Sequence, residues 1–147
     1  MQTRPPIEIH IAQPTDAPEI ARLNALFNGR DEPAGNYAAR LADPHRVDNP
    51  LLAEVDGRVI GLANLRLVPA IFYPEPYAEL TELFVEEPFR RQGVGRALIL
   101  HAERLARDSG ASEMLVRTDF YNHGAQELYR ALGYVHHDIA LIKSLDC

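Results

Sequence analysis

The amino-acid sequence predicts a mixed α/β fold: one sheet with helices on both faces, built in the order β-α-α-β-β-β-α-β-α-β(-β). Three observations predict it. Two β-rich runs, residues 51–55 and 58–68, are joined by Asp56-Gly57. That pair suits a tight type I′ hairpin turn, which needs positive φ at both central residues. A third run, residues 78–85, leads through Gly93 and Gly95 into a helical pattern. From there strand and helix signals alternate, so hairpins give way to crossovers.

The elements follow in order. Ile7-Glu8-Ile9-His10-Ile11 alternates apolar and polar residues, as a strand with one buried face does. Asp16 and Glu19 form a capping-box pattern with Pro18 in the first turn, and Ile20, Leu23 and Phe27 recur at helical spacing. Residues 28–35 read as a loop, and residues 36–43 as a short helix with Tyr37 and Leu41 on one face. The two hairpin strands come next. Residues 69–77 hold three prolines and fit neither helix nor central strand. After the strand at 78–85, Val94, Ala97, Leu98 and Leu105 line a helix that stops at Ser109-Gly110. Residues 113–118 read as a strand. Asn122 then caps a helix carrying Ala125, Leu128, Tyr129 and Leu132, which Gly133 ends. Residues 134–143 read as extended structure.

Composition narrows the function. A chain of 147 residues fits a single domain, here 1–147, with a sizeable core. No apolar run is long enough to span a bilayer, and the segment Met1 to Pro6 is too polar for a signal peptide. Cys147 is the one cysteine, so no internal disulfide forms, and a reducing cytoplasm is the expected location. A net charge of -6 argues against nucleic-acid binding and suits a cationic substrate. The six histidines lack ligand spacing, so no metal is expected.

The richest stretch is Arg90-Arg91-Gln92-Gly93-Val94-Gly95-Arg96. Glycines at a strand-to-helix junction admit a ligand close to the backbone. The first helical N–H groups have no partner within the helix, and the helix dipole places partial positive charge there. Three arginines add cations. Together these make an anion site suited to a phosphate or pyrophosphate. A dinucleotide fingerprint would need a third glycine where Leu98 stands, and a P-loop would need Gly-Lys-Ser/Thr.

Arg90-x-x-Gly93-x-Gly95 resembles the (Gln/Arg)-x-x-Gly-x-(Gly/Ala) motif of the GNAT superfamily of acetyl-CoA-dependent N-acetyltransferases. Leu83-Phe84-Val85-x-x-Pro88-x-Arg90 is similar to that family's approach to the motif. Asn122-x-x-Ala125-x-x-Leu128-Tyr129-x-x-x-Gly133-Tyr134 resembles its second signature. The element order is also that of the family, so the resemblance covers nearly the whole chain.

The resemblance implies a set of roles. Gln92, Gly93, Val94, Gly95 and Arg96 would offer main-chain N–H groups to the coenzyme A pyrophosphate, with Arg90, Arg91 and Arg96 adding charge-assisted hydrogen bonds. Leu83, Phe84 and Val85 would pair with the pantetheine amides as another strand does. That strand and the one at 113–118 would splay apart around the acetyl group. Asn122 would bond the pantetheine arm, and Tyr129 would protonate the departing thiolate. Periodicity alone assigns Tyr129 to the core, and Asn122 is also a helix cap. Acetyl-CoA would be the co-substrate, and the acceptor a primary amine of a small molecule or peptide. Homodimers are common among the proteins resembled.

The base is open between Glu79 and Glu82. On an ideal strand they point to opposite sides, so at most one faces the wedge unless a bulge changes the phase. Each is equally readable as an exposed edge charge. The loops at 28–35 and 69–77 flank the acceptor side in the resembled fold; Phe72, Tyr73 and Tyr77 could line a pocket there, and Asp31 and Glu32 could attract a cation. The expected activity is direct transfer of acetyl from acetyl-CoA to the amine through a ternary complex. A catalytically idle coenzyme A or acyl-CoA binding module is the alternative.

Overall fold

A computed structural model describes residues 3–146. Cys147 and the first two residues lie outside the described residues, and with them part of the reading of the N-terminal segment. Two compact units make up the chain, Met1–Arg117 and Thr118–Cys147.

The first unit holds a five-stranded sheet in sequential order. Its strands are β1 (Ile7–Ile11), β2 (Asp48–Val55), β3 (Arg58–Val68), β4 (Tyr77–Val85) and β5 (Leu115–Val116). The first four pair antiparallel, and β5 joins β4 in parallel. Asp56 and Gly57 both have positive φ, 51° and 75°, as the β2–β3 turn requires. Residues 69–76 contain no helix or strand, in keeping with their prolines.

Helices cover both faces. On one, α1 (Ala17–Asn28) and α2 (Ala34–Ala42) bring Ile20, Leu23, Tyr37 and Leu41 onto Leu52, Val59 and Leu62. On the other, α3 (Val94–Asp108) packs against β3 and β4 through Val94 and Leu98, which lie over Gly61. Leu23, Leu52, Leu98 and Ile99 are wholly inaccessible. Burying each stabilises the fold by about 1.5–3 kcal/mol.

Several local expectations change. The capping box forms one turn early: Asp16 lies in helical conformation and accepts from the Gln13 amide at 2.7 Å, while Glu19 instead accepts from Arg22. The second helix starts at Ala34, two residues earlier than expected, behind Pro33. The expected strand at 113–118 shrinks to Leu115–Val116. A bulge in β4 accounts for that shortening. Asn64 pairs with Glu82 and Leu65 with Leu80, which leaves Thr81 as the extra residue. A bulge bends its strand and interrupts the ladder, and the parallel pairing with β5 ends at Leu80.

In the second unit, α4 (His123–Ala131) is capped by Asn122, whose Oδ1 accepts from the Ala125 amide at 3.1 Å. Tyr129 is buried and meets Tyr134 edge-on at 5.7 Å. The extended segment expected at 134–143 forms no strand, and Val135, Ile139, Leu141 and Ile142 are exposed. β-formers alone do not make a strand; a partner edge is required, and this unit contains no other strand among the described residues.

Candidate active site

The turn between β4 and α3 contains the phosphate-site candidates. Arg91 and Gly93 both have positive φ, 61° and 87°. Gly93 is the residue that starts α3, and a Cβ built on it would meet nothing within 4 Å. Its left-handed backbone, not crowding within the chain, is what requires glycine there. Among the described residues, the backbone amides from Arg91 through Arg96 have no acceptor. Successive unpaired N–H groups at a helix N-terminus are what an anion binds. Arg91 and Arg96 are exposed and form no ion pair among the described residues. Gln92 turns its side-chain amide back to the Pro88 carbonyl at 3.2 Å. Arg90 is partly engaged: its Nε donates to the Val85 carbonyl at 2.8 Å, and its guanidinium lies over the Phe84 ring. It braces the end of β4, with only its terminal nitrogens left to meet an anion.

Just upstream, Glu86 is buried and accepts from Arg22 at 2.8 Å and from Arg58 at 3.3 Å. Arg22 also donates to the Val59 carbonyl at 2.7 Å. This network ties α1 and β3 to the start of the turn.

β4 presents its two faces to different surroundings. Leu83 and Val85 align with Ala63 and Gly61, on the α3 side. Phe84 aligns with Leu62 and stacks on Phe27 of α1 at 5.2 Å. Beyond Leu80, no strand among the described residues pairs with β4 on the β5 side. That edge has the free backbone groups an amide-containing ligand needs.

The bulge at Thr81 settles the geometry of the two glutamates. Glu79 pairs with Arg66 and Glu82 with Asn64, and these partners are two residues apart on β3. Both carboxylates therefore lie on the α1–α2 face. Their surroundings differ. Glu79 is buried, with one oxygen accepting from Arg117 at 2.5 Å and the other from the Tyr77 hydroxyl at 3.1 Å. Glu82 is half-buried. Burial pushes its carboxyl above the usual range and Asp48 adds to the rise, while an Asn28 hydrogen bond and the Arg66 charge oppose it without cancelling it. Beside it, Asn64 donates to the Thr81 hydroxyl at 2.8 Å, and its buried Oδ1 has no partner. Asn64, Arg66 and Arg117 were not singled out from the sequence, since their importance depends on register and on a contact 38 residues away.

Glu82 opens into a groove of about 540 Å³ lined also by Asn24, Asn28, Arg30, Glu32 and Arg40. Of the acceptor-side residues expected from the sequence, Glu32 lies here, and Tyr77 is engaged with Glu79. Phe72 and Tyr73 are exposed on the proline-rich loop. In the second unit, burial pushes the Tyr129 phenol up to about 12. It is therefore protonated at neutral pH.

Residues 16–134 match the acetyltransferase (GNAT) family, and the chain belongs to it. Members of that family use acetyl-CoA. Aminoalkylphosphonate N-acetyltransferase of Salmonella typhimurium is 30% identical over 109 residues, covering 74% of this chain and 70% of that protein. N-acetyltransferase 8 of Homo sapiens is 32% identical over 83 residues, which are 56% of this chain but 37% of the human protein. The chain thus aligns with little more than a third of that relative's length. Among solved structures, aminoglycoside N-acetyltransferase AAC(6')-Iy in complex with coenzyme A shares the fold with a TM-score of 0.82 at 23% identity, covering 100% of this chain and 99% of the other.

Proposed function

We propose that this protein is an N-acetyltransferase that moves an acetyl group from acetyl-CoA directly to a primary amine of a small molecule or peptide, the two substrates being bound together. The observation that carries the reading is the run of unpaired amides from Arg91 through Arg96 at the end of the same strand that bears Glu82. One strand thereby links an anion cradle to a carboxylate with a raised pKa.

The residues fit coenzyme A. The left-handed Gly93 leaves room beside the backbone, and Arg91 and Arg96 bring unpaired guanidinium groups. In this reading the amides of Gln92, Gly93, Val94, Gly95 and Arg96 hold the pyrophosphate, while the free edge at Leu83, Phe84 and Val85 holds the pantetheine arm. Acetyl-CoA supplies the activated acetyl thioester.

Glu82 is assigned the base. An ammonium is no nucleophile, and a carboxylate with a raised pKa is a better proton acceptor near neutral pH than an ordinary one. Glu79, with both oxygens engaged, is assigned the lesser role of fixing Arg117 and the bulge. Tyr129 Oη holds a proton for the departing sulfur, an assignment resting on its place in the second signature. Asn122 keeps its cap and, on the same basis, contacts the pantetheine arm. We further propose that the two compact units work as one catalytic domain, in the cytoplasm.

Release of free coenzyme A thiol, followed over a panel of primary amines, tests the proposal. Amine-dependent thiol release with a mass gain of one acetyl group on the amine supports it. Tight coenzyme binding with no turnover of any amine would leave only a binding module.

A further inference from the structure

We infer that the groove beside Glu82 takes a zwitterionic amine, one whose ammonium group is accompanied by a carboxylate, phosphonate or similar anion on the same small molecule. The inference deepens the proposed N-acetyltransferase reading and rests on it for the position of the amine.

The charges lining the groove carry the argument. Glu82 receives an ammonium at the β4 wall. The groove also holds two guanidinium groups, Arg30 and Arg40. Arg40 is set in place: it pairs with Glu32 and lies over the Tyr37 ring at 5.2 Å. A guanidinium has five donors in a planar fork, so this pairing leaves donors over. Arg30 has no carboxylate partner among the described residues. Asn24 and Asn28 are locked into a chain with Tyr37: Asn28 donates to Asn24 at 2.7 Å, and Asn24 to the Tyr37 hydroxyl at 2.6 Å. They form a polar wall on the α1 side of the groove.

A purely cationic acceptor fits this lining poorly. Two carboxylates face two guanidiniums, and one of the carboxylates, Glu32, is already neutralised by Arg40. A polyamine would place surplus positive charge beside Arg30. A simple monoamine, an ammonium at neutral pH, would satisfy Glu82 and leave Arg30 without a partner. An amine with an anionic group satisfies both poles, through charge-assisted and, at Arg30, fork-like hydrogen bonding. A volume of about 540 Å³ accommodates such a molecule with room for water.

The test compares kcat/KM for propylamine, β-alanine, aminoethylphosphonate and spermidine, in the wild type and in Arg30→Gln. Arg30 is exposed and unpaired, so the variant should fold normally. We expect the two anionic amines to exceed propylamine and spermidine by about tenfold or more, the gain of one charge-assisted hydrogen bond. Arg30→Gln should lower kcat/KM for the anionic amines at least about tenfold more than for propylamine. Equal or better use of propylamine or spermidine, or an equal loss on all four amines, would overturn the ligand class and leave the acetyltransferase reading standing. If none of the four is acetylated, the acetyltransferase reading fails for this groove, and calorimetry still decides the ligand. Aminoethylphosphonate binding that weakens in Arg30→Gln supports the ligand class, and no binding overturns it.

Discussion

Glu79 and Glu82 lie on the same face of the sheet although three positions separate them, because Thr81 is the extra residue of a bulge opposite Asn64. Strict alternation would put them on opposite faces. Sharing a face, they still differ: Glu79 is fully engaged by Arg117 and Tyr77, whereas Glu82 looks into an open groove.

The two glutamates should therefore respond differently to substitution. Glu82→Gln should reduce kcat on the order of 100-fold, the usual scale for a lost general base. It should also abolish the acid limb of the pH–rate profile, whose midpoint in the wild type should lie above the ordinary glutamate range. Glu79→Gln should mainly cost stability, about 1–3 kcal/mol for the weakened Arg117 pairing. Its pH–rate profile should keep the wild-type limb. Steady-state kinetics across pH and urea denaturation of both variants check this.

Stability should vary with pH through Glu82 in a definite direction. Its folded pKa is raised, so the folded chain binds this proton more tightly than the unfolded chain does. The contribution to stability is present in full below the unfolded pKa and is lost as pH rises through the folded one. Glu82→Gln removes the cost of burying the charge. It should thus raise Tm relative to wild type at pH 7, with the difference shrinking toward pH 4, where the wild-type carboxyl is protonated too. A thermal melt series over that range decides it, and an unchanged or lowered Tm at pH 7 would contradict it.

Arg22→Met should destabilise the fold by about 1–3 kcal/mol, because it leaves the buried Glu86 with Arg58 as its remaining partner. Coenzyme A affinity should fall with it, since Glu86 anchors the start of the phosphate turn. Urea denaturation and calorimetry measure the two effects separately.

Tyr129→Phe should lower turnover on the order of 100-fold with coenzyme A affinity little changed. With the wild-type phenol pushed up to about 12, no alkaline loss of activity should be assignable to it up to about pH 10. A rate unchanged in the variant would make Tyr129 a packing residue against Tyr134.

Much of the fold was legible because its signals are local. Asp56-Gly57, the period-two run at residues 7–11 and the strand–glycine–helix junction at Gly93 each carry their own geometry. What escaped depends on distant partners. Thr81 bears no mark of a bulge; the misalignment arises from how β3 meets β4. Residues 134–143 are rich in β-formers, yet a strand needs an edge to pair with. The bond from Arg90 Nε to the Val85 carbonyl is likewise a contact that no local pattern announces. The loop at 28–35 was legible as a place for substrate selection, and Glu32 was named within it; the pairing of Glu32 with Arg40 and the unpaired state of Arg30 are tertiary facts.

Backbone amide chemical shifts during a titration with coenzyme A test the central claim most directly, in the wild type and in Gly93→Val. A side chain at the left-handed Gly93 costs about 1–2 kcal/mol of stability and would stand where the diphosphate is expected, so the variant should bind more than about tenfold more weakly. In the wild type, the largest shifts should fall on the amides from Gln92 through Arg96. Wild-type shifts concentrated elsewhere, or equal affinity in the variant, would contradict the account.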